Sequence, residues 1–280
     1  MSIQVVTDST ASLPPELAAE LGITVIPTHV TFGTTSYRDG VDLDADEFYR
    51  LLETSPDHPM TSQPNPAEFA QVYGQVEGDG PIVSIHVSTD LSKTVESARQ
   101  GAAQVDREIL VLDSRLVGPA MAFSVIAAAR AGRDGASLED IQGIVADHAE
   151  RGHLIFVVQT LEYLKRGGRI GGAQAFLGSL LNVKPVLELA DGVVAPVTRV
   201  RTMRKAHAAI ADRVSEQAPN GVSSWAILHA DNQAEHDRLK RDLADGLNAE
   251  GDTIPNLAIS PVVGTHTGPG AFGFAFLARP

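Results

Sequence analysis

The chain has 280 residues, 43% hydrophobic and 20% charged, with a formal net charge of −13. This composition supplies one or two buried cores and excludes a disordered chain. The absence of cysteine excludes disulfide and thiol chemistry, and the acidic balance argues against nucleic acid as a partner.

Ile3–Thr7 is a β-branched run and reads as a strand. The start, Met1-Ser2-Ile3-Gln4, leads into that strand rather than into a secretory signal, and no apolar run approaches the roughly 18 residues of a membrane span. A cytoplasmic protein with at most transient membrane contact is expected. Pro14 and Pro15 open a helix that Gly22 closes. Ile23–Phe32 reads as one strand, and Asp44-x-x-Glu47 starts a helix through about Thr54. Asn65-Pro66-Ala67-Glu68 combines a cap, a proline at the first helical position and a glutamate at the third. Pro81–Val87 is a strand, Leu91–Val105 a helix, Glu108–Leu112 a strand and Ala120–Ala131 a helix; Ser137-x-x-Asp140 caps another. Alternating strands and helices predict an α/β lobe over residues 1–152, Rossmann-like, with a doubly wound parallel sheet covered on both faces.

The pattern changes near residue 153. After a strand at Leu154–Gln159 come short helical stretches at about Glu162–Lys165 and Gly172–Leu181. Pro185–Leu189 and Val193–Val200 flank Asp191-Gly192, a strong hairpin signal. A helix from Met203, a strand at Trp225–His229, a helix from Gln233 and two closing strands follow. This predicts an α+β lobe over residues 153–280 with a mixed or antiparallel sheet. No repeat or low-complexity linker separates the lobes, so a cleft between them is expected.

Gly268-Pro269-Gly270-Ala271-Phe272-Gly273 fits G-x-G-x-x-G, but only seven residues follow it, too few for a dinucleotide-binding unit. A glycine-rich loop meeting a ligand or another backbone fits better. There is no P-loop, no nucleophile elbow and no paired-histidine zinc motif, so no metal is expected. Asp8-Ser9-Thr10 follows the first strand, where α/β sheets bind ligands; its hydroxyls equally suit a turn that satisfies its own backbone. Lys165, Arg166 and Arg169 form one basic group, and Arg199, Arg201, Arg204 and Lys205 another. Both are candidates for anion or partner contact, or ordinary surface charge.

Several segments carry a resemblance that spans nearly the whole chain. They are Thr7-Asp8-Ser9-Thr10-Ala11, Tyr37-Arg38-Asp39-Gly40-Val41-Asp42, Thr61-Ser62-Gln63-Pro64, Leu91-Ser92-x-Thr94 with Ser97-Ala98, Leu161 through Ile170, Leu181-Asn182-Val183-Lys184-Pro185, and His266 through Ala271. In this order they resemble the DegV family, including the fatty-acid-binding subunits of bacterial fatty acid kinase. The resemblance implies a long-chain fatty acid between two lobes and no other cofactor. Its carboxylate would be held by Thr61 and Ser92, with Arg169 and His266 near it and Ser62 and Lys93 beside the clamp. It further implies a carrier without chemistry of its own, serving a kinase that phosphorylates the acyl carboxylate for phospholipid metabolism. Lys93 is a departure, since glycine or alanine is usual there. Leu116-Val117-Gly118-Pro119-Ala120 also departs from the usual Ser/Gly-rich segment.

The physical chemistry agrees. A long acyl chain buries a dozen or more methylenes at about 0.8 kcal/mol each, so the tail should set affinity. Phe176, Leu177, Leu180 and Leu181 have helical spacing and are candidates for the tunnel wall or for core. Ser92 is expected at the start of a helix, as an anion-binding position or an N-cap. His266 lies in an expected loop between threonines, a context that suits a functional histidine. The group Arg199, Arg201, Arg204 and Lys205 is a docking candidate for the kinase. The competing reading is a small-molecule kinase or hydrolase related to the substrate-binding domain of dihydroxyacetone kinases, with Asp8, Ser9, His229 or His266 as working groups. No nucleophile–base pair is legible for it. A pure protein-interaction module is a third reading.

Overall fold

The structure, a computed structural model, describes residues 2–178, 183–244 and 253–280. The chain opens with β1 (Gln4–Asp8), a 3-10 turn at Ser9–Ala11, α1 (Pro15–Leu21) and β2 (Ile23–Ile26). Gly22 closes α1 in the left-handed conformation, at φ 66°, where a Cβ would be strained. Next come β3 (His29–Phe32), β4 (Thr35–Arg38), α2 (Ala45–Thr54), β5 (Met60–Ser62) and α3 (Pro66–Gln75). The reciprocal capping box at Asn65 and Glu68 fixes the start of α3. β6 (Ile82–His86), α4 (Thr94–Ala102), β7 (Ile109–Asp113), α5 (Pro119–Arg133) and α6 (Leu138–Arg151) complete the first lobe. Its main sheet is parallel throughout, in the order β2-β1-β6-β7.

Ile23–Phe32 is two strands, not one. Pro27 has no N–H to give a ladder, and the Thr28 N–H goes to Ser9 Oγ at 3.1 Å. The chain therefore leaves the parallel sheet after β2. It enters a separate three-stranded antiparallel sheet, β4-β3-β5, in which Thr61 pairs with Val30. The helix expected from Leu91 starts at Thr94 instead. The N–H groups of Leu91 and Ser92 both bond the Ser88 carbonyl at 3.0 Å, so the turn that carries Ser92 is a separate feature ahead of the helix.

The second lobe comprises β8 (Gly152–Val157), α7 (Glu162–Arg166), a 3-10 turn at Gly171–Phe176, β9 (Lys184–Ala190), β10 (Val193–Val200) and α8 (Met203–Gln217). It closes with β11 (Val222–His229), α9 (Gln233–Ala244), β12 (Thr253–Ala258), α10 (Pro261–Thr267) and β13 (Phe272–Ala278). The six-stranded sheet runs β10-β9-β8-β13-β11-β12. It is mixed, because β11 and β12 pair parallel and the other neighbours antiparallel. Asp191 and Gly192, both at positive φ (51° and 83°), turn the β9–β10 hairpin.

Helix α5 explains how the lobes join. Its apolar residues, among them Met121, Phe123, Val125 and Ile126, are buried on nearly all sides, because it packs on β1 of one sheet and on β8, β11 and β13 of the other. One hydrophobic core therefore runs through both lobes, from Val5 and Ile85 to Leu154 and Leu187. The hairpin tip adds a polar tie, with Ser88 Oγ donating to the Gly192 carbonyl at 2.8 Å. The glycine-rich loop meets side chains rather than a nucleotide. A Cβ on Gly268 would fall 2.3 Å from the Tyr163 ring, and one on Gly270 would fall 3.0 Å from Gln159.

Candidate functional site

Where the two lobes and the small sheet face one another, they leave a cavity of about 930 Å³, counted with the solvent-open space at its mouth. Its interior is apolar: Val87 and Val117 from the first lobe, Leu154, Phe156, Leu189, Val194 and Leu228 from the second, and Ile259, Val262 and Val263 at α10. Thr10, Thr28 and Thr267 are buried in the wall, and the remaining polar residues, Thr61, Ser62, Gln63, Ser92, Arg169 and His266, form one less buried group. Ser62 is exposed and Thr61, Gln63, Ser92 and Arg169 are half-buried, so this region is the mouth.

Thr61 comes from β5 and His266 from the last turn of α10, a helix that opens at Pro261 where a loop was expected. Thr61 Oγ1 lies 2.9 Å from His266 Nε2. His266 is pushed down to about 4, chiefly by burial and then by the charges of Arg169 and His58, so its ring is neutral near pH 7. Its Nδ1 is buried without a hydrogen-bond partner and faces Gly167, where a Cβ would come within 2.1 Å. The tautomer with its proton on Nε2 leaves only a lone pair unpaired at Nδ1. His266 then donates to Thr61, and the Thr61 hydroxyl is free to donate into the cavity.

Ser92 Oγ is 2.8 Å from Thr94 Oγ1, and Thr94 is wholly buried. Arg169 fastens this turn to the loop after α7. Its Nε donates to the Leu91 carbonyl at 2.9 Å and its Nη1 to the Gly167 carbonyl at 2.7 Å. Thr61, Ser62, Ser92, Arg169 and His266, distant in sequence, therefore converge on one opening. Together they present hydroxyl donors, one guanidinium charge and a neutral imidazole, a set suited to an anion kept close to water.

Lys93 is exposed and does not line the cavity. Phe176 and Leu177 do not line it either. Phe176 is half-buried with the Arg199 guanidinium 5.0 Å over its ring, and Leu177 is 39% exposed. Leu180 and Leu181 lie outside the described residues, as does Asn182. Arg199, Arg201, Arg204 and Lys205 are exposed at the end of β10 and the first turn of α8. The apolar wall, from Val87 and Leu154 to Val262, escaped the sequence reading of the pocket, as did the polar wall residues Thr10, Thr28 and Thr267. The signal for Thr10 was present, since Asp8-Ser9-Thr10 is both the turn and the wall. Asp8 accepts from the Thr10 N–H at 3.0 Å, and Ser9 Oγ bonds Thr28 Oγ1 at 2.8 Å.

Of the groups considered for an enzyme, His266 stands at the mouth against Thr61, while Asp8, Ser9 and His229 are engaged elsewhere. Asp8 accepts from His86 Nδ1 at 2.9 Å, His86 Nε2 meets Ser84 Oγ at 2.6 Å, and Tyr73 donates to Ser84 at 2.9 Å. The order acid, imidazole, hydroxyl is suggestive, but all four side chains are fully buried and the chain does not open on the cavity. His229 accepts the Asn232 N–H at 3.3 Å. Among the described residues no cluster of histidine and acidic side chains could hold a metal, and no helix is long and apolar enough to cross a membrane.

Fold and cavity define a two-lobed α/β binding protein with an apolar interior and a polar mouth. The chain belongs to the DegV family: the model described as an uncharacterised protein of that family matches residues 2–279. A DegV domain-containing protein of Deinococcus radiodurans is 38% identical over 278 residues, covering 98% of each chain. A DegV family protein from Thermus thermophilus, described for its fatty acid binding, superposes with a TM-score of 0.92 at 36% identity and full coverage of both chains. DegV of Bacillus subtilis, described as a fatty acid binding protein, superposes at 0.88 with 34% identity, also over the whole of both chains.

Proposed function

We propose that this protein is a carrier that holds a long-chain fatty acid in its cavity and presents the carboxylate to a separate kinase for acyl-phosphate formation. The observation that carries the reading is the polarity gradient of the cavity. Apolar side chains line its interior, while Thr61, Ser92, Arg169 and His266 gather at its mouth. An acyl chain gains about 0.8 kcal/mol for each methylene it buries there. A carboxylate withdrawn from water needs hydrogen bonds to offset a loss of several kcal/mol. The free hydroxyl of Thr61, the hydroxyl of Ser92 and the charge of Arg169 can supply them without neutralising the acid. With the head at the surface and the tail inside, a partner can reach the reactive oxygen.

The same reading assigns the protein no cofactor, no metal and no catalysis of its own, a place in the cytoplasm and a role in phospholipid metabolism. The exposed basic group Arg199, Arg201, Arg204 and Lys205 is the docking element for the kinase. The direct test is to denature the purified protein, extract it and weigh what is released. One fatty acid per chain is expected. An empty cavity that also refuses added palmitate would overturn the reading.

A further inference from the structure

The loop at Tyr37–Asp42 does not line the cavity, yet it places a carboxyl in an unusual position. Asp39, just after β4, is 2% exposed. Its Oδ1 has no hydrogen-bond partner, and its Oδ2 is reached only loosely by Thr28 Oγ1, at 3.5 Å. Its backbone N–H bonds the Thr28 carbonyl at 2.8 Å. The groups around it are the Ser9 hydroxyl, the Thr28 hydroxyl and the backbone N–H of Val262 in the first turn of α10. Thr28 and Val262 are both cavity wall. Asp39 therefore stands one side chain behind the surface that an acyl chain would touch.

The charges that bear on Asp39 do not help it ionise. Asp8, at the end of β1, opposes its negative charge. Tyr49 of α2 is near enough to feel it and is itself buried and neutral. Arg38, the preceding residue, turns outward to Asp42 at 2.8 Å. Burial is the largest influence and outweighs the lowering influence of the nearby Ser9, Val262 and Thr28 groups, so the carboxyl is raised to about 7. A carboxyl so placed is divided between its two forms near neutral pH, and its balance depends on how much water reaches it.

We propose that filling the cavity with an acyl chain is coupled to proton uptake by Asp39. The inference rests on the fatty-acid reading above. Thr28 and Val262, only 2% and 6% exposed, already keep water off Asp39, so the effect acts one side chain away: water in the empty cavity stabilises the nearby charge through its dielectric, and an acyl chain packed against that wall replaces it. The ionised form of Asp39 then loses solvation while the neutral form does not. By linkage, a ligand that favours the protonated form binds with constant affinity while Asp39 is already protonated. It binds more weakly as pH rises above the value at which the empty protein gives up the proton, by at most tenfold per pH unit. The carboxylate of the fatty acid and the neutral ring of His266, pushed down to about 4, do not change state in this range. The device would release cargo as the surroundings become alkaline and retain it as they acidify.

The test is palmitate binding to delipidated protein between pH 6 and 8.5, compared with Asp39→Asn, which stays neutral throughout. A severalfold loss of affinity is expected for the natural protein across this range, and a flat profile for the variant once the common effect of palmitate solubility is divided out. Because Asp39→Asn could misfold, titration calorimetry of the natural protein at pH 7 in two buffers of different ionisation enthalpy gives a second reading. A fraction of a proton taken up per palmitate is expected. Equal pH profiles for the two proteins, or no proton uptake, overturn the coupling while leaving the carrier intact. Failure to bind palmitate at any pH overturns the carrier and the coupling together.

Discussion

In the proposed carrier the Thr61 hydroxyl serves the head group when His266, 2.9 Å away, takes the donor's part in their mutual hydrogen bond. The orphaned Nδ1 and the low proton affinity of the ring both follow from its burial. Ser92 is the simpler partner, half-buried and braced by Thr94. Replacing either hydroxyl removes a bond to a charged group, about 1.5–3 kcal/mol, but leaves the apolar wall untouched. Thr61→Ala and Ser92→Ala should therefore lower acyl phosphorylation by tenfold or more while lipid content after purification changes little. Assays with the kinase and mass spectrometry of extracted lipid measure the two quantities. If the acid bound by both variants is phosphorylated normally, the clamp is misassigned. These residues were legible in the sequence only as members of short motifs, since nothing in their spacing says that β5 and the turn before α4 will meet. Lys93 shows the reverse, standing beside Ser92 in sequence while its side chain stays in the solvent.

Among the elements, those with strong local signals were readable. The caps at Asp44, Asn65 and Ser137 start their helices as expected, and Asp191-Gly192 turns its hairpin. What failed was decided by distant partners. Pro27 splits a continuous β-like run because Ser9 takes the Thr28 N–H. Helix α10 spans only Pro261–Thr267, rich in β-branched residues, and is held by its neighbours rather than by propensity. One of those neighbours is the end of α7. Gly167 has ordinary helical dihedrals, with φ −72°, so alanine there meets no backbone strain, only the His266 ring at 2.1 Å. Gly167→Ala should destabilise the fold by about 1–3 kcal/mol through overpacking and displace His266 from Thr61. A lower melting temperature with unaltered acyl phosphorylation would show that the contact is structural only.

On the scale of the whole molecule, the charge of −13 sets off the exposed basic group Arg199, Arg201, Arg204 and Lys205. Arg204 and Lys205 stand in the first turn of α8, where the helix dipole disfavours cations. Arg201→Glu with Arg204→Glu should weaken coupling to the kinase and spare bound lipid, and rates measured over a range of kinase concentrations, at low and moderate salt, check this. Coupling that is indifferent to both substitutions and to salt would remove this surface from the account. The strand order of the larger sheet bears on a different matter, how the protein is made. β13 follows β8, β9, β10, β11 and β12 in the chain yet inserts between β8 and β11, carrying Phe272, Phe274 and Phe276 into the second core. Until that strand has left the ribosome the sheet has an open seam, and Thr61 lacks His266, 205 positions later. The proposed detergent-like cargo thus meets no complete cavity on the nascent chain. Loading begins only after the late segment has threaded the gap, a step dominated by long-range contacts and correspondingly slow.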